Sequence, residues 1–213
     1  MTSVVRCATL AALGVLICNA SSPAATASLD LLKRATKLNP SLNSYTASAT
    51  LTARLRTGLP LRKTLNGTVY YLKPRRRIAF ENVPPPLRQF SSLMAAAPTY
   101  EEAAAKYTIT PQSDDGKRST YMLVPKASGS RVKSVTVIVD DATAVVPQVA
   151  FDYTDGGKLT FDQTYAPVES YTLPTKAQIV ARFPKYSADG TLDFSNYKPN
   201  APVTPAQVAT PAP

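Results

Sequence analysis

Three acidic pairs, Glu101-Glu102, Asp114-Asp115 and Asp140-Asp141, are the residues of this 213-residue chain best suited by type to acid–base chemistry. Glycoside hydrolysis, for example, needs two carboxylates converging on one bond. Neighbouring residues on a strand point to opposite faces, however, and each pair falls at a helix start or turn, where Asp and Glu are favoured for structural reasons. Ser91-Ser92 and Ser128-Gly-Ser130 could supply nucleophiles, but the chain contains no histidine. That removes the commonest general base, the Ser-His-Asp and Cys-His arrangements, and ordinary zinc sites. Gly156-Gly157 reads as a hairpin turn rather than a phosphate loop. The expectation is a non-enzymatic protein with no cofactor and no metal.

The ends of the chain set the compartment. Arg6 precedes an uncharged apolar run from Ala8 to Ile17, and small residues follow, with Ala20 and Ala25-Thr-Ala27 as candidate cleavage sites. This is the pattern of a secretory signal over residues 1–27, and the run is shorter than the ~20 residues a bilayer-spanning helix needs. Both cysteines, Cys7 and Cys18, lie within it, so the mature chain has no thiol and must rest on its hydrophobic core. At the other end, residues 199–213 are rich in Pro and Ala and read as a disordered tail. One domain, residues 28–198, remains, expected to be exported or periplasmic, soluble after cleavage and monomeric.

Within that domain the elements follow from periodicity. Ser28 caps a short helix, Leu29 to Leu38, ended by Asn39-Pro40. From Tyr45 to Thr57, Ala47, Ala49, Leu51, Ala53 and Leu55 alternate with Thr, Ser and Arg, which predicts one long strand with a single apolar face. At ~3.4 Å per residue it would run about 44 Å, far beyond the usual strand, and strands of that length belong to strongly curved sheets. Further strands are predicted at 65–73, 77–81, 107–110, 119–124, 133–139, 148–153, 158–165, 171–173, 178–183 and 191–197. Turn signals at Asp114-Asp-Gly116, Asp140-Asp-Ala-Thr143 and Asp155-Gly-Gly157 arrange them as an antiparallel meander. Asn82-Val-Pro-Pro-Pro86 interrupts the β pattern. Leu87, Phe90, Leu93, Met94 and Ala97 then follow at helical spacing, and Thr99 with Glu102 forms a capping box for a second short helix.

Charge is the remaining signal. The chain carries 24 Lys plus Arg against 14 Asp plus Glu. Arg54, Arg56, Arg62, Lys63, Lys73, Arg75, Arg76, Arg77 and Arg88 cluster around one acid, Glu81. Two readings stand: a solvated face that keeps the protein soluble, or contact with an anionic membrane surface through Arg75, Arg76 and Arg77, at ~1 kcal/mol per basic residue. Export argues against nucleic acid as the partner.

The order of elements carries a resemblance. A long alternating strand leads to Gly67-Thr-Val-Tyr-Tyr-Leu-Lys-Pro74 and Arg77-Ile-Ala-Phe80. Later comes Val135-Thr-Val-Ile-Val-Asp-Asp-Ala-Thr143, running into Val149-Ala-Phe-Asp-Tyr-Thr-Asp-Gly-Gly-Lys158. Over roughly Leu29 to Asn200 this resembles the periplasmic outer-membrane lipoprotein carrier (LolA/LolB-like) superfamily. The resemblance implies an α+β, mainly antiparallel β fold: a curved, open half-barrel with short helices covering its concave face. It also implies a lipid or lipoprotein acyl chain held on that face, against Ala47, Ala49, Leu51, Ala53, Leu55, Val69, Tyr71, Phe80, Val137 and Phe151, beneath Leu87, Phe90, Leu93 and Met94. Each buried methylene is worth ~0.8 kcal/mol, so ten give about 8 kcal/mol before entropy costs, and such binding needs no reactive residue. The alternative is an envelope interaction or sensor module on the same fold, its apolar residues serving only as core.

Overall fold

The computed structural model describes residues 27–56, 60–81 and 98–209. The predicted signal and the predicted helix carrying Leu87, Phe90, Leu93 and Met94 lie outside them. Three short helices, α1 (Leu29–Ala35), α2 (Tyr100–Lys106) and α3 (Pro205–Val208), accompany ten strands. The strands are β1 (Ser44–Arg56), β2 (Pro60–Leu72), β3 (Arg75–Phe80), β4 (Tyr107–Asp114), β5 (Arg118–Pro125), β6 (Val132–Asp140), β7 (Gln148–Tyr153), β8 (Lys158–Val168), β9 (Tyr171–Phe183) and β10 (Tyr186–Pro199). All ten form one antiparallel sheet in the order β3-β2-β1-β10-β9-β8-β7-β6-β5-β4, which leaves β3 and β4 as its edges. The expected curved, open half-barrel is what forms. No described helix is long and apolar enough to cross a membrane.

The chain therefore meanders in two pieces joined by its ends. β1 pairs with β2 on one side and with β10 on the other, so the first strand in the chain and the last lie side by side, third and fourth from the β3 edge. β1 shows the predicted alternation, with Tyr45, Ala47, Ala49, Leu51 and Leu55 buried and the residues between them more exposed. Strand register carries its apolar face across the sheet. The cross-strand row Leu123, Val135, Phe151, Leu159, Ala181, Ala188, Leu55 and Leu61 links eight strands, from β5 to β2. Successive residues of such a row share one face. A ring contact of 6.2 Å between Phe151 and Phe161 lies on the same face.

Two clusters of buried side chains occupy this framework. One centres on β1, β2 and β10, with Ala47, Ala49, Leu51, Leu65, Val69, Ile78, Leu192 and Phe194. In the other, Leu31 and Leu32 of α1 pack with Tyr121, Leu123, Val135 and Val139 of β5 and β6. α1 begins where Ser28 accepts a hydrogen bond from the Asp30 N–H, and the Tyr121 hydroxyl donates to the Ser28 carbonyl at 2.5 Å, tying the helix start to the sheet. The Thr99–Glu102 capping box of α2 is present as predicted.

Two expectations need revision. The pieces 171–173 and 178–183 are one strand, β9, which continues through Pro174. Over Tyr171–Pro174 its ladder partner is β8, and its pairing with β10 begins only at Lys176, so a residue without an N–H is tolerated there. The Pro/Ala-rich segment read as disordered instead continues β10 to Pro199 and forms α3, where Gln207 Oε1 accepts from the Thr204 N–H at 2.8 Å and Val208 is buried. Burial of one valine and a capped turn with Pro at its start outweigh the composition.

Gly67 marks a close approach of β2 and β3. A Cβ there would lie 2.6 Å from the Ala79 carbonyl oxygen and 2.8 Å from the Phe80 ring, whereas at Gly190 the nearest atoms are 3.6 Å away. Gly67→Ala should therefore cost about 1–3 kcal/mol, the usual range for overpacking, while Gly190→Ala is expected to stay within ~1 kcal/mol of the parent. Urea unfolding monitored by circular dichroism measures both. Equal effects at the two positions would contradict the packing described.

Candidate functional site: the inner face and its tyrosine corner

The residues expected to meet a ligand separate by depth. Ala47, Ala49, Leu51, Leu55 and Val69 are buried, with Ala49 and Val69 each only 1% exposed. Ala53, Tyr71, Phe80, Val137 and Phe151 are half-buried and pack against the two clusters. Small side chains concentrate at the middle of the face. Ala49 faces Gly67 across β2, Ala53 faces Gly190 across β10, and Ala181 faces Ala188. Shallow depressions of about 520 and 370 Å³ lie elsewhere, beside α2 and α1, and contain none of the expected lining residues.

The arginine triplet does not act as one patch. Along a strand, successive side chains alternate faces, and register pairs Arg76 with Tyr71, which in turn faces Tyr45. Ile78 pairs with Val69, and Val69 with Ala47, so Arg76 belongs to the apolar face. Arg75 and Arg77 belong to the other. Arg75 is exposed, and an Arg77 guanidinium N–H lies 3.5 Å from the Gln207 carbonyl oxygen next to α3. The wider basic cluster divides in the same way. Arg54 and Arg62 stand opposite each other, whereas Lys63 is in register with Ala53 and shares the inner face. Arg88 lies outside the described residues.

Arg76 enters a group of tyrosines. The Tyr45 and Tyr71 rings stack at 4.9 Å, and Tyr197 lies 5.4 Å from Tyr45. Tyr197 reaches that place because the ladder slips between Thr46 and Ser48 and Asn196 adopts a left-handed φ of 52°. The extra residue in β10 inverts the alternation. The Tyr197 hydroxyl then donates to the Pro174 carbonyl. Burial pushes the Tyr45 phenol above its usual range, while the Arg76 charge and a hydrogen bond to Arg76 pull it back. Tyr71, Tyr165 and Tyr197 are likewise pushed up by burial, and Arg76 opposes each shift.

Tyr165 also reports the curvature. It sits on β8, five strands from Arg76 on β3. At ~4.8 Å per strand a flat sheet would hold them at least 24 Å apart, well beyond the ~8–10 Å over which a charge is screened. Arg76 and Tyr45 nevertheless both act on Tyr165, because the sheet curls until β8 turns back toward β3.

The acidic pairs are spent on local structure. Asp114 Oδ1 accepts from the Gly116 N–H at 2.7 Å, and Asp115 Oδ1 accepts from the Lys117 and Arg118 N–H groups. Asp140 Oδ1 accepts from the Thr143 N–H and hydroxyl. Asp141 Oδ1 accepts from the Ser119 hydroxyl at 2.8 Å. These donors hold the Asp115 and Asp140 carboxyls below the usual carboxylate range, the wrong direction for a general acid.

Reasoning from the sequence omitted Tyr45, Ile78, Leu192, Phe194, Tyr165 and Tyr197 from the inner face. Tyr45 and Ile78 continue the alternation already read in β1 and β3 and could have been found that way. Tyr197 could not, because a bulge reverses its parity.

With this geometry in place, the fold can be matched to solved structures. A domain of a protein described as outer membrane lipoprotein-sorting, from Vibrio parahaemolyticus, superposes with a TM-score of 0.55 at 12% identity, covering 84% of this chain and 95% of that one. A DUF1329 family protein from Desulfovibrio piger gives 0.57 at 13% identity, with coverage of 84% and 95%. A LolA superfamily protein from Nitrosomonas europaea gives 0.53 at 12% identity, with coverage of 88% and 99%. The chain thus has the fold of the LolA-like lipoprotein-sorting domains over most of its length. No protein-family model matches the sequence, and no curated relative does either.

Raised phenol pKa values have a defined consequence for stability. The unfolded chain gives up tyrosine protons near pH ~10, whereas Tyr45, Tyr71, Tyr165 and Tyr197 retain theirs in the folded state. Their contribution is fully present below pH ~10 and declines as the pH rises beyond it. Urea midpoints should be level from neutral pH to about 9 and fall steeply above ~10. Ultraviolet difference titration should show part of the chain's 11 tyrosines ionising only as the protein unfolds. Complete tyrosine ionisation in the folded protein would overturn this.

Proposed function

We propose that this protein is an exported, non-enzymatic carrier that holds the acyl chains of a lipid or lipoprotein against the concave face of its sheet. The single observation that carries the reading is a continuous apolar face on an unclosed, curled sheet, with Ala47, Ala49, Ala53, Gly67, Ala181, Ala188 and Gly190 at its centre. The residues there are small, Ala53, Ala188 and Gly190 among them are half-buried, and contact with an acyl chain requires no polar chemistry from the protein. Two solved structures with this fold bear descriptions naming lipoprotein sorting or the LolA superfamily. The carrier works as a monomer in the periplasm, after removal of the signal, and meets anionic membrane surfaces through basic residues of its outer face, Arg75 and Arg77 among them. Deep burial of Ala47, Ala49 and Val69 supports a second reading, an envelope interaction module on the same fold whose core is filled.

Native mass spectrometry of protein gently extracted from its own host, with displacement of a fluorescent fatty acid in parallel, separates the two. The carrier reading expects co-purified lipid and saturable displacement. Ala53→Phe, at a half-buried inner position, should weaken displacement at least about tenfold by filling the trough, as expected for the loss of one to two buried methylenes' worth of contact, with little change in the urea midpoint. Absence of both lipid and displacement would leave the interaction-module reading in its place.

A further inference from the structure

The trough is not uniformly apolar, since one of its corners holds a positive charge. Arg76 sits on the inner face in register with Tyr71, and Tyr71 with Tyr45. The Tyr45 and Tyr71 rings stack at 4.9 Å, and Tyr197 closes the group 5.4 Å from Tyr45. From this placement we infer that the corner is a head-group subsite, where Arg76, beside the Tyr45 and Tyr71 hydroxyls, receives the anionic end of an acyl ligand, a carboxylate or a phosphate.

Four observations support it. A guanidinium on an apolar face is costly to desolvate, yet strand parity turns Arg76 inward while both neighbouring arginines, Arg75 and Arg77, turn outward. Arg76, Tyr71, Tyr165 and Tyr197 are half-buried and Tyr45 is 4% exposed, so the corner meets solvent at its rim and is closed at Tyr45. The Arg76 charge lowers the Tyr45 phenol against the upward push of burial, so the cation acts directly on the tyrosine group, and a protonated phenol beside it has an O–H to donate to an anion. The phenols stay protonated through the neutral range, because burial pushes them up, which preserves those donors.

Geometry then sets the ligand's orientation. Below Arg76 on the same face come Ile78 and Val69, then Ala47 and Ala49. A chain whose head binds the corner can therefore lie along β1 over the small residues. A guanidinium offers a planar fork of donors suited to carboxylate or phosphate, and an anionic head adds a charge contact that a neutral head lacks.

This inference rests on the acyl-carrier reading, and its test is chosen so that the two can fail separately. Binding of hexadecanoate, hexadecyl phosphate and hexadecanol is measured by displacement of a neutral fluorescent acyl probe. Measurements use wild type, Arg76→Gln and Arg76→Lys, with urea midpoints for each protein. The expected result is at least about tenfold tighter binding of an anionic probe than of hexadecanol, the size of one hydrogen-bonded charge contact. Arg76→Gln should erase that difference without altering hexadecanol binding, and Arg76→Lys should keep part of it. The relative affinities of the carboxylate and the phosphate say which head the corner prefers. Equal binding of all three probes to wild type, or a preference that survives Arg76→Gln, overturns the subsite and leaves the carrier intact. Failure of every probe to bind overturns both.

Discussion

A sheet with one apolar face and two free edges has to shelter that face from water, and the rest of this molecule answers to that constraint. Among the described residues, helices alone do not do it: α1 and α2 are seven residues each, too short to span ten strands. Curling is the larger remedy. It brings Tyr165 on β8 within reach of Arg76 on β3 and turns the apolar rows toward one another. The twist native to long strands favours such coiling. Bulges at Asn196 and beside Tyr165 add local bends.

Small residues let adjacent strands of the curled sheet approach closely. Gly67 lies so close to the Ala79 carbonyl and the Phe80 ring that no side chain fits, and alanines line the adjacent rows. Large side chains at these positions would fill the hollow directly. Bulk alternates with the small residues within the face, at Leu51, Leu65, Leu192 and Phe194, and gathers on Leu31 and Leu32 over Tyr121 and Val139 at one end and on stacked tyrosines at the other. Between them lies the region where the acyl-carrier proposal places its ligand. Turns and caps use the paired carboxylates, while Asp152, Asp189 and Asp193 on the strands pair with Lys158, Arg182 and Lys176.

Much of this was legible in the sequence, for definite reasons. β1 announces itself through thirteen residues of alternation, and the Asp-Gly turns fix the hairpins of β4–β5 and β7–β8, because local chemistry determines them. What could not be read depends on partners distant in the chain. Arg75, Arg76 and Arg77 look like one basic patch until β2 supplies the register that separates them. Pro174 reads as a strand end because composition does not reveal that the β9–β10 ladder begins only at Lys176. The capped turn at Thr204 carries a recognisable Thr-x-x-Gln pattern, hidden by the prolines and alanines around it. Pairing of the first strand with the last has no local signature at all.

That pairing is a seam with consequences for how the chain matures. Asn200 donates its N–H to the Ser44 carbonyl at 2.8 Å, and the Ser44 hydroxyl donates to the Ala201 carbonyl at 2.7 Å, so the two ends of the sheet-forming sequence are stitched together residue by residue. Until β10 has been synthesised, β1 has a partner on one side only, and the ribbon β1–β2–β3 waits with an open edge, the kind of surface that invites wrong associations. Contacts between residues so far apart in the chain also slow folding. The assembly can lock only when nearly the whole polypeptide is available, so a nascent chain remains threadable until its final strand arrives.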